Sequence, residues 1–412
     1  MKKKTKLAIG VLVCAVTIAG TLYYPPFSRI ILHRGTQAEY EEPAQTAEEP
    51  DSQPDTAADT EAPEFSTQTP DEEPLPDIRT VTISAVGDCA LGPVQTKGYD
   101  GSFYDYYDRY GSDYFFSGVK DIFEADDFTL VNLECVLTNE NERVEKMWNI
   151  KGYPEYTKIL LDGSIEGCSL GNNHTFDYGE KSHTDTEEAL TDAGILFAFN
   201  EKTTVYTAEN GITIGVVSAN TLDSHAQAEA YIKDGIDQLR EAGVDLVVAC
   251  CHWGIEREYY PTEYQQEAAH RIIDWGADLV IGNHPHVLQG IEIYNGKVIC
   301  YSLGNFCFGA NSNPADKDTL IYQQTFTFTD GVLMPDITAG IIPCRLSTVT
   351  AYNDYQPTVL EGDEKAAVID KMNRYSQAYE GISFDESGAI CTGEEETGAA
   401  DETGDDRVKE EI

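Results

Sequence analysis

The chain is poor in basic residues: lysine and arginine number 28 against 72 aspartates and glutamates in 412 residues, a formal charge of −44. That deficit argues against a nucleic-acid partner, because phosphate backbones recruit cationic side chains. A polyanionic ligand would need metal cations or a locally basic pocket. The ten cysteines contain no CxxC pair; they are scattered, with Cys250 and Cys251 adjacent inside an apolar run. They read mostly as small buried hydrophobes. No internal repeat is visible, and 41% apolar residues exclude wholesale disorder.

What is present is unevenly spread. A basic segment, residues 1–6, precedes an uncharged apolar run at residues 7–24. As a helix that run would reach about 27 Å, enough for a thin bilayer core. The lysines place its start inside the cell, so a retained transmembrane anchor with an extracytoplasmic main domain is expected. A cleavable signal peptide is the rival reading, but no clear small-x-small cleavage site follows. Val13 before Cys14 sets aside a lipoprotein. Residues 25–78 read as a linker: from 37 to 78 the chain is acidic, proline-rich and free of lysine and arginine. Such a stretch buries too little apolar surface to offset its ordering entropy. Residues 385–412 read as a similar acidic tail, which leaves 79–384 as the folded domain.

Within that domain a pattern recurs. Short β-rich runs end in polar residues at Gly87-Asp88, Asn132-Leu133-Glu134, Gly171-Asn172-Asn173-His174, His252-Trp253-Gly254 and Gly282-Asn283-His284-Pro285-His286. The runs lack strict alternation, as strands covered on both faces do. Helical stretches at 184–193, 232–242 and 263–275 lie between them. Alternating strands and helices imply an α/β fold with largely parallel sheets, whose carboxyl ends converge on a ligand site.

Each polar residue has a bland explanation when taken singly. Asp88 or Glu134 suits a cap or turn, Asn173-His174 suits a turn, and His252 suits a core histidine. His284-Pro285-His286 is sharper, because proline stiffens the chain between two imidazoles. Together they offer hard oxygen from Asp88 and Glu134, an amide oxygen from Asn173, and nitrogen from His252, His284 and His286. That set suits a borderline divalent ion such as manganese, iron(II) or zinc. Six ligands exceed one tetrahedral site, so two ions are expected, clamping phosphoryl oxygens during displacement. His174 would be free to act as general acid, with Asp177 or Glu256 orienting a histidine. His33, His183, His225 and His270 read as solvated.

These motifs, with Tyr301-Ser302-Leu303-Gly304-Asn305-Phe306, resemble the CapA family of capsule or poly-γ-glutamate synthesis proteins. The core of that family resembles calcineurin-like metallophosphoesterases. The resemblance runs from about Thr80 to Phe308 and more faintly to about Tyr379. It implies an α/β sandwich of two mostly parallel or mixed sheets flanked by helices, behind a membrane anchor and facing outward. It further implies Asp88, Glu134, Asn173, His252, His284 and His286 as metal ligands, His174 as the acid, and poly-γ-glutamate or another envelope polymer and membrane synthase components as partners. Ala90 stands where metallophosphoesterases carry a histidine, which removes one nitrogen from the first metal site. Asn283 replaces a histidine of many relatives. Cys89-Ala90-Leu91-Gly92-Pro93 follows Asp88 where relatives often carry a methionine and a basic residue.

Two classes of function stay open on these residues: a metal-dependent phosphoesterase, in capsule synthesis or elsewhere in the envelope, and a non-enzymatic metal-dependent polymer-binding partner. The aromatic segment 99–116 reads as a packed surface loop rather than a polymer-stacking platform. Beyond Leu320, residues 325–328 and 337–345 suggest a hairpin, followed by a helix at 364–379.

Overall fold

The computed structural model of the chain describes residues 75–392; the expected anchor at 7–24, His33 and most of the linker and tail lie outside the described residues. No helix among the described residues is long and apolar enough to cross a membrane. Two mixed sheets dominate. In the nine-stranded sheet, Ile78–Ala90 lies parallel to Phe128–Leu133 and to Asn305–Phe308 and antiparallel to Asp318–Thr329. Gly167–Ser169 and Leu196–Ala198 continue the parallel side. In the six-stranded sheet, Thr213–Asn220, Leu246–His252, Leu279–Asn283 and Lys297–Cys300 run parallel, with antiparallel strands at both edges.

Residue alternation explains how the sheets stack. Val81, Ile83 and Ala85 meet Ile214, Val216, Leu246 and Val248 in one core between the two sheets. The opposite faces are also apolar. Val131 and Cys168 pack outward with Leu160 and Leu190, while Val217, Val247 and Val280 pack with Ile232, Ile236 and Ile272. The layers are therefore helix, sheet, sheet, helix, and strands covered twice need no polar alternation. Helices cover the expected stretches, though the first two start four and seven residues earlier: Glu180–Ala193, His225–Glu241, and Glu263–Asp274, which Thr262 and Gln265 start with a capping box.

The expected hairpin is present as Asp318–Thr329 against Thr338–Arg345, and the last helix spans Gly362–Ser376. Ile382–Phe384 pairs with Ile390–Thr392, so regular structure extends past the boundary read at 384. The linker's last residue, Ile78, likewise opens a strand. Eight buried cysteines among the described residues are unpaired and sit in these cores, as small hydrophobes do; Cys391 is exposed.

Segment 99–116 departs from its expectation. It forms a helix, Phe103–Tyr110, capped by the Ser102 side chain. Phe103, Tyr106, Tyr107 and Tyr110 recur at helical spacing, which a reading for aromatic density overlooks. Phe103 packs inward on Phe115 and Tyr107 on Tyr156, each at 4.2 Å between centroids, while Tyr110 at the end of the helix stays exposed.

One close backbone approach sets up the carboxyl end of the first strand. A Cβ on Gly87 would lie 1.9 Å from the Gly304 carbonyl oxygen, the same oxygen that accepts from the Asp88 N–H at 2.8 Å. Neither partner is a flexible side chain. Gly87→Ala is expected to cost stability at or above the top of the roughly 1–3 kcal/mol range for overpacking, checked by urea denaturation; an unchanged midpoint would contradict it.

Candidate metal centre

Strand register delivers the polar residues to one level. Asp88 aligns with Asn132 and Asn305 in one sheet, and His252 aligns with Asn220 and Asn283 in the other. The register shifts on both sides of Asp88, a bulge that re-aims its side chain. The turn after Leu279–Asn283 then places His284 and His286 at φ 97° and 57°, left-handed values that L-residues rarely adopt. Such backbone persists only where its surroundings hold it. Here the His284 N–H faces the Asp88 carboxylate at 3.4 Å, and the His286 Nδ1 lies 2.9 Å from Asn305 Oδ1.

Every residue of the expected set arrives in the same place. His286 Nδ1 is 3.0 Å from Asp88 Oδ2 and its Nε2 is 3.8 Å from Glu134 Oε1. His252 Nε2 is 3.6 Å from the same Glu134 oxygen and 3.1 Å from Asn173 Oδ1. His174 Nε2 is 3.8 Å from that oxygen too. His284 stands beside His252, ring centroids 4.8 Å apart. Glu134, His284 and His286 offer ligand atoms all within 4.8 Å of one another. Of the six expected ligands, these three have ligand atoms mutually close enough to share one ion.

Glu134 and Asp88 are both fully buried but differ in how they are satisfied. Asp88 accepts from the Asn132 side chain at 2.8 Å and faces His286 and the His284 N–H. Neither oxygen of Glu134 has a hydrogen-bond partner among the described residues, nor does the buried Nδ1 of His284. Burying a carboxylate without a partner costs several kcal/mol, so groups in this position are normally paired or bound to a metal.

Protonation follows the same imbalance. Burial, then the nearby Asp88 charge, pushes the Glu134 carboxyl well above its ordinary range. Burial drives His252 well below its usual value and takes His284 to about 4. Burial also pulls His286 downward, but the Glu134 and Asp88 carboxylates outweigh it and hold this imidazole up at about 10. Without a metal, a protonated His286 stands between two acids.

His174 occupies a different position. Its Nδ1 lies 2.7 Å from Asp177 Oδ2, so the expected orienting role falls to Asp177 and not to Glu256, which has no hydrogen bond to these rings. Burial lowers the His174 pKa, and Asp177 offsets part of that. Lys146 completes the arrangement: its Nζ bonds the Asp177 carboxylate and the Asn173 carbonyl, the latter at 2.8 Å. Sequence reading missed Lys146 because it lies in the irregular 138–149 segment, away from any strand end. Asn132 and Asn305 lay inside recognised motifs, and only their register with Asp88 gives them a role. Ala90, where a histidine was wanted, is fully buried. His225 is exposed, as expected, with its ring stacked on Tyr264; His183 and His270 are half-buried, the first tilted against Phe199 and the second stacked on Tyr294.

The fold and its strand-end cluster define an α/β two-sheet sandwich protein that gathers imidazoles and carboxylates in one pocket. Residues 82–310 match the family model described as bacterial capsule synthesis protein PGA_cap, and the chain belongs to that family. It is similar to the PGA biosynthesis protein CapA of Bacillus subtilis (strain 168), with 32% identity over 248 residues, 55% of this chain and 63% of that protein. It is similar to the capsule biosynthesis protein CapA of Bacillus anthracis, with 30% identity over 253 residues, covering 55% and 60%. A probable polyglutamine synthesis accessory protein of Mycobacterium tuberculosis is 27% identical over 257 residues, covering 54% and 67%. The match therefore spans less than two thirds of each of the two Bacillus proteins. The two-sheet sandwich is consistent with the calcineurin-like core expected from the motifs.

Proposed function

We propose that this chain is a membrane-anchored, extracytoplasmic protein of capsule synthesis, export or retention, acting on poly-γ-glutamate or another envelope polymer beside a membrane synthase. We further propose that its strand-end pocket is a divalent-metal centre of the metallophosphoesterase kind. One observation carries the metal reading: the fully buried Glu134 carboxylate has no hydrogen-bond partner among the described residues and is surrounded by imidazoles.

The residues fit such a cation. Glu134, His284 and His286 form the group that would hold a first ion, and Asp88, Asn173 and His252 supply the remaining donors for a second. Burial keeps His252 and His284 neutral, the form that ligates. A bound manganese, iron or zinc ion supplies Lewis-acid polarisation of a phosphoryl or carboxyl oxygen. Asp88 orients His286 through Nδ1, as carboxylates orient ligating imidazoles elsewhere. With the Nδ1 of His174 committed to Asp177, its Nε2 is the nitrogen that takes up a proton and returns it to a leaving oxygen.

The purified protein is expected to carry divalent metal, and His252→Ala combined with His286→Ala to remove it, read by elemental analysis. Metal content equal to the parent's would count decisively against the centre. A panel of phosphoesters with manganese separates catalysis from binding. Turnover supports the esterase reading; metal-dependent polymer binding without turnover supports a non-enzymatic partner of the synthase.

A further inference from the structure

A cavity of about 160 Å³ opens beside the centre, between the His174 turn and the start of the His225–Glu241 helix. Asn173 joins the two: it lines the cavity and its Oδ1 lies 3.1 Å from His252. Pockets for drug-sized ligands run from roughly 300 Å³ upward, so this smaller space holds no more than one ring of a ligand that continues outside it.

Its walls select against charge of either sign. Among the described residues no lysine, arginine or histidine lines it, and Asp223 contributes a carboxylate, which disfavours an anion. That carboxylate is already answered: the Asn220 side-chain amide donates to it at 3.1 Å, and it stands at the N-terminus of the helix that Ser224 caps, whose dipole opposes its charge, so little of it is left for a cation. What remains is neutral hydrogen bonding. Gln227 donates its amide to the Tyr231 hydroxyl at 2.5 Å, which leaves the Gln227 carbonyl oxygen and the Tyr231 proton to meet a ligand. The Phe176 ring, 37% exposed, adds an apolar wall.

A neutral ring with donors and acceptors around its edge and an apolar C–H face is a pyranose. We propose that this cavity is a glycosyl-binding subsite, seating one sugar ring so that a group it bears abuts Asn173 at the metal centre. The binding step stands apart from metal occupancy.

The test is calorimetric titration of the full-length protein with the β-1,4-linked N-acetylglucosamine trimer, in EDTA and again in manganese. Saturable binding is expected in both. Gln227→Leu, which removes the amide at similar bulk, and Tyr231→Phe should each weaken it by about tenfold or more with unchanged circular dichroism and metal content. Penta-γ-glutamate should not displace the sugar. Absence of saturable binding, equal affinity in both variants, or displacement by the glutamate oligomer would overturn the proposal. Because the EDTA arm needs no ion, failure of the subsite and failure of the metal centre give different results.

Discussion

Glu134→Gln is expected to leave the purified protein without divalent metal and to flatten the pH dependence of its metal-free stability. Glutamine keeps the shape and removes the charge that a cation would answer. The sign of the pH effect follows from linkage. The Glu134 carboxyl is raised well above its ordinary 4.5, so folded protein retains a proton that the unfolded chain releases. Metal-free stability is therefore full below about pH 4.5 and falls as pH rises from there, by about 1.4 kcal/mol per pH unit for each proton held only in the folded state. His286 acts in the same direction, between its ordinary 6.5 and about 10. The Gln variant loses the first contribution entirely and weakens the second, because the Glu134 charge is part of what holds His286 up. Saturating manganese should reverse the slope in the parent, since ligands bind metal only when deprotonated. Thermal melting across pH 5–9 with EDTA or manganese reads all of this. A variant with parental metal content and an unchanged pH slope would remove Glu134 from the centre.

The second large effect concerns proton transfer. His174→Ala should reduce manganese-dependent phosphoester turnover by about 10²–10⁴, the usual worth of a positioned acid or base. Metal content should stay at the parental level, because three imidazoles and Glu134 remain. Asp177→Asn should give a smaller loss with the same metal retention, since it weakens the Nδ1 hydrogen bond that fixes the ring and removes the charge paired with Lys146 while leaving every metal donor in place. Parental turnover in the alanine variant would place the proton elsewhere. Loss of metal together with activity would make His174 a ligand.

Much of this architecture is legible in the chain because it rests on local signals. Apolar runs without alternation mark doubly covered strands, and each ends on a polar residue that register brings level with its neighbours. Asp88, Glu134, Asn173, His174, His252, His284 and His286 could all be chosen that way. What the sequence withholds depends on three-dimensional pairing. Asp88 and Glu134 look alike as letters, yet Asn132 satisfies one while nothing among the described residues satisfies the other. The left-handed backbone at His284 turns its N–H toward the Asp88 carboxylate of the other sheet, a contact that Pro285 does not announce. Lys146 reaches Asp177 from an irregular segment with no periodicity to announce it. The Phe103–Tyr110 helix was hidden by its own composition, since tyrosines mixed with aspartates resemble a loop until their spacing is counted.

The most direct test is crystallographic: crystals grown with manganese, with diffraction recorded on both sides of the manganese absorption edge. The account predicts an anomalous peak about 2.0–2.3 Å from a Glu134 oxygen and from ring nitrogens of His284 and His286. A protein that binds no manganese at this pocket, or binds it with Glu134 outside the coordination sphere, would contradict the reading of that buried carboxylate as a metal ligand.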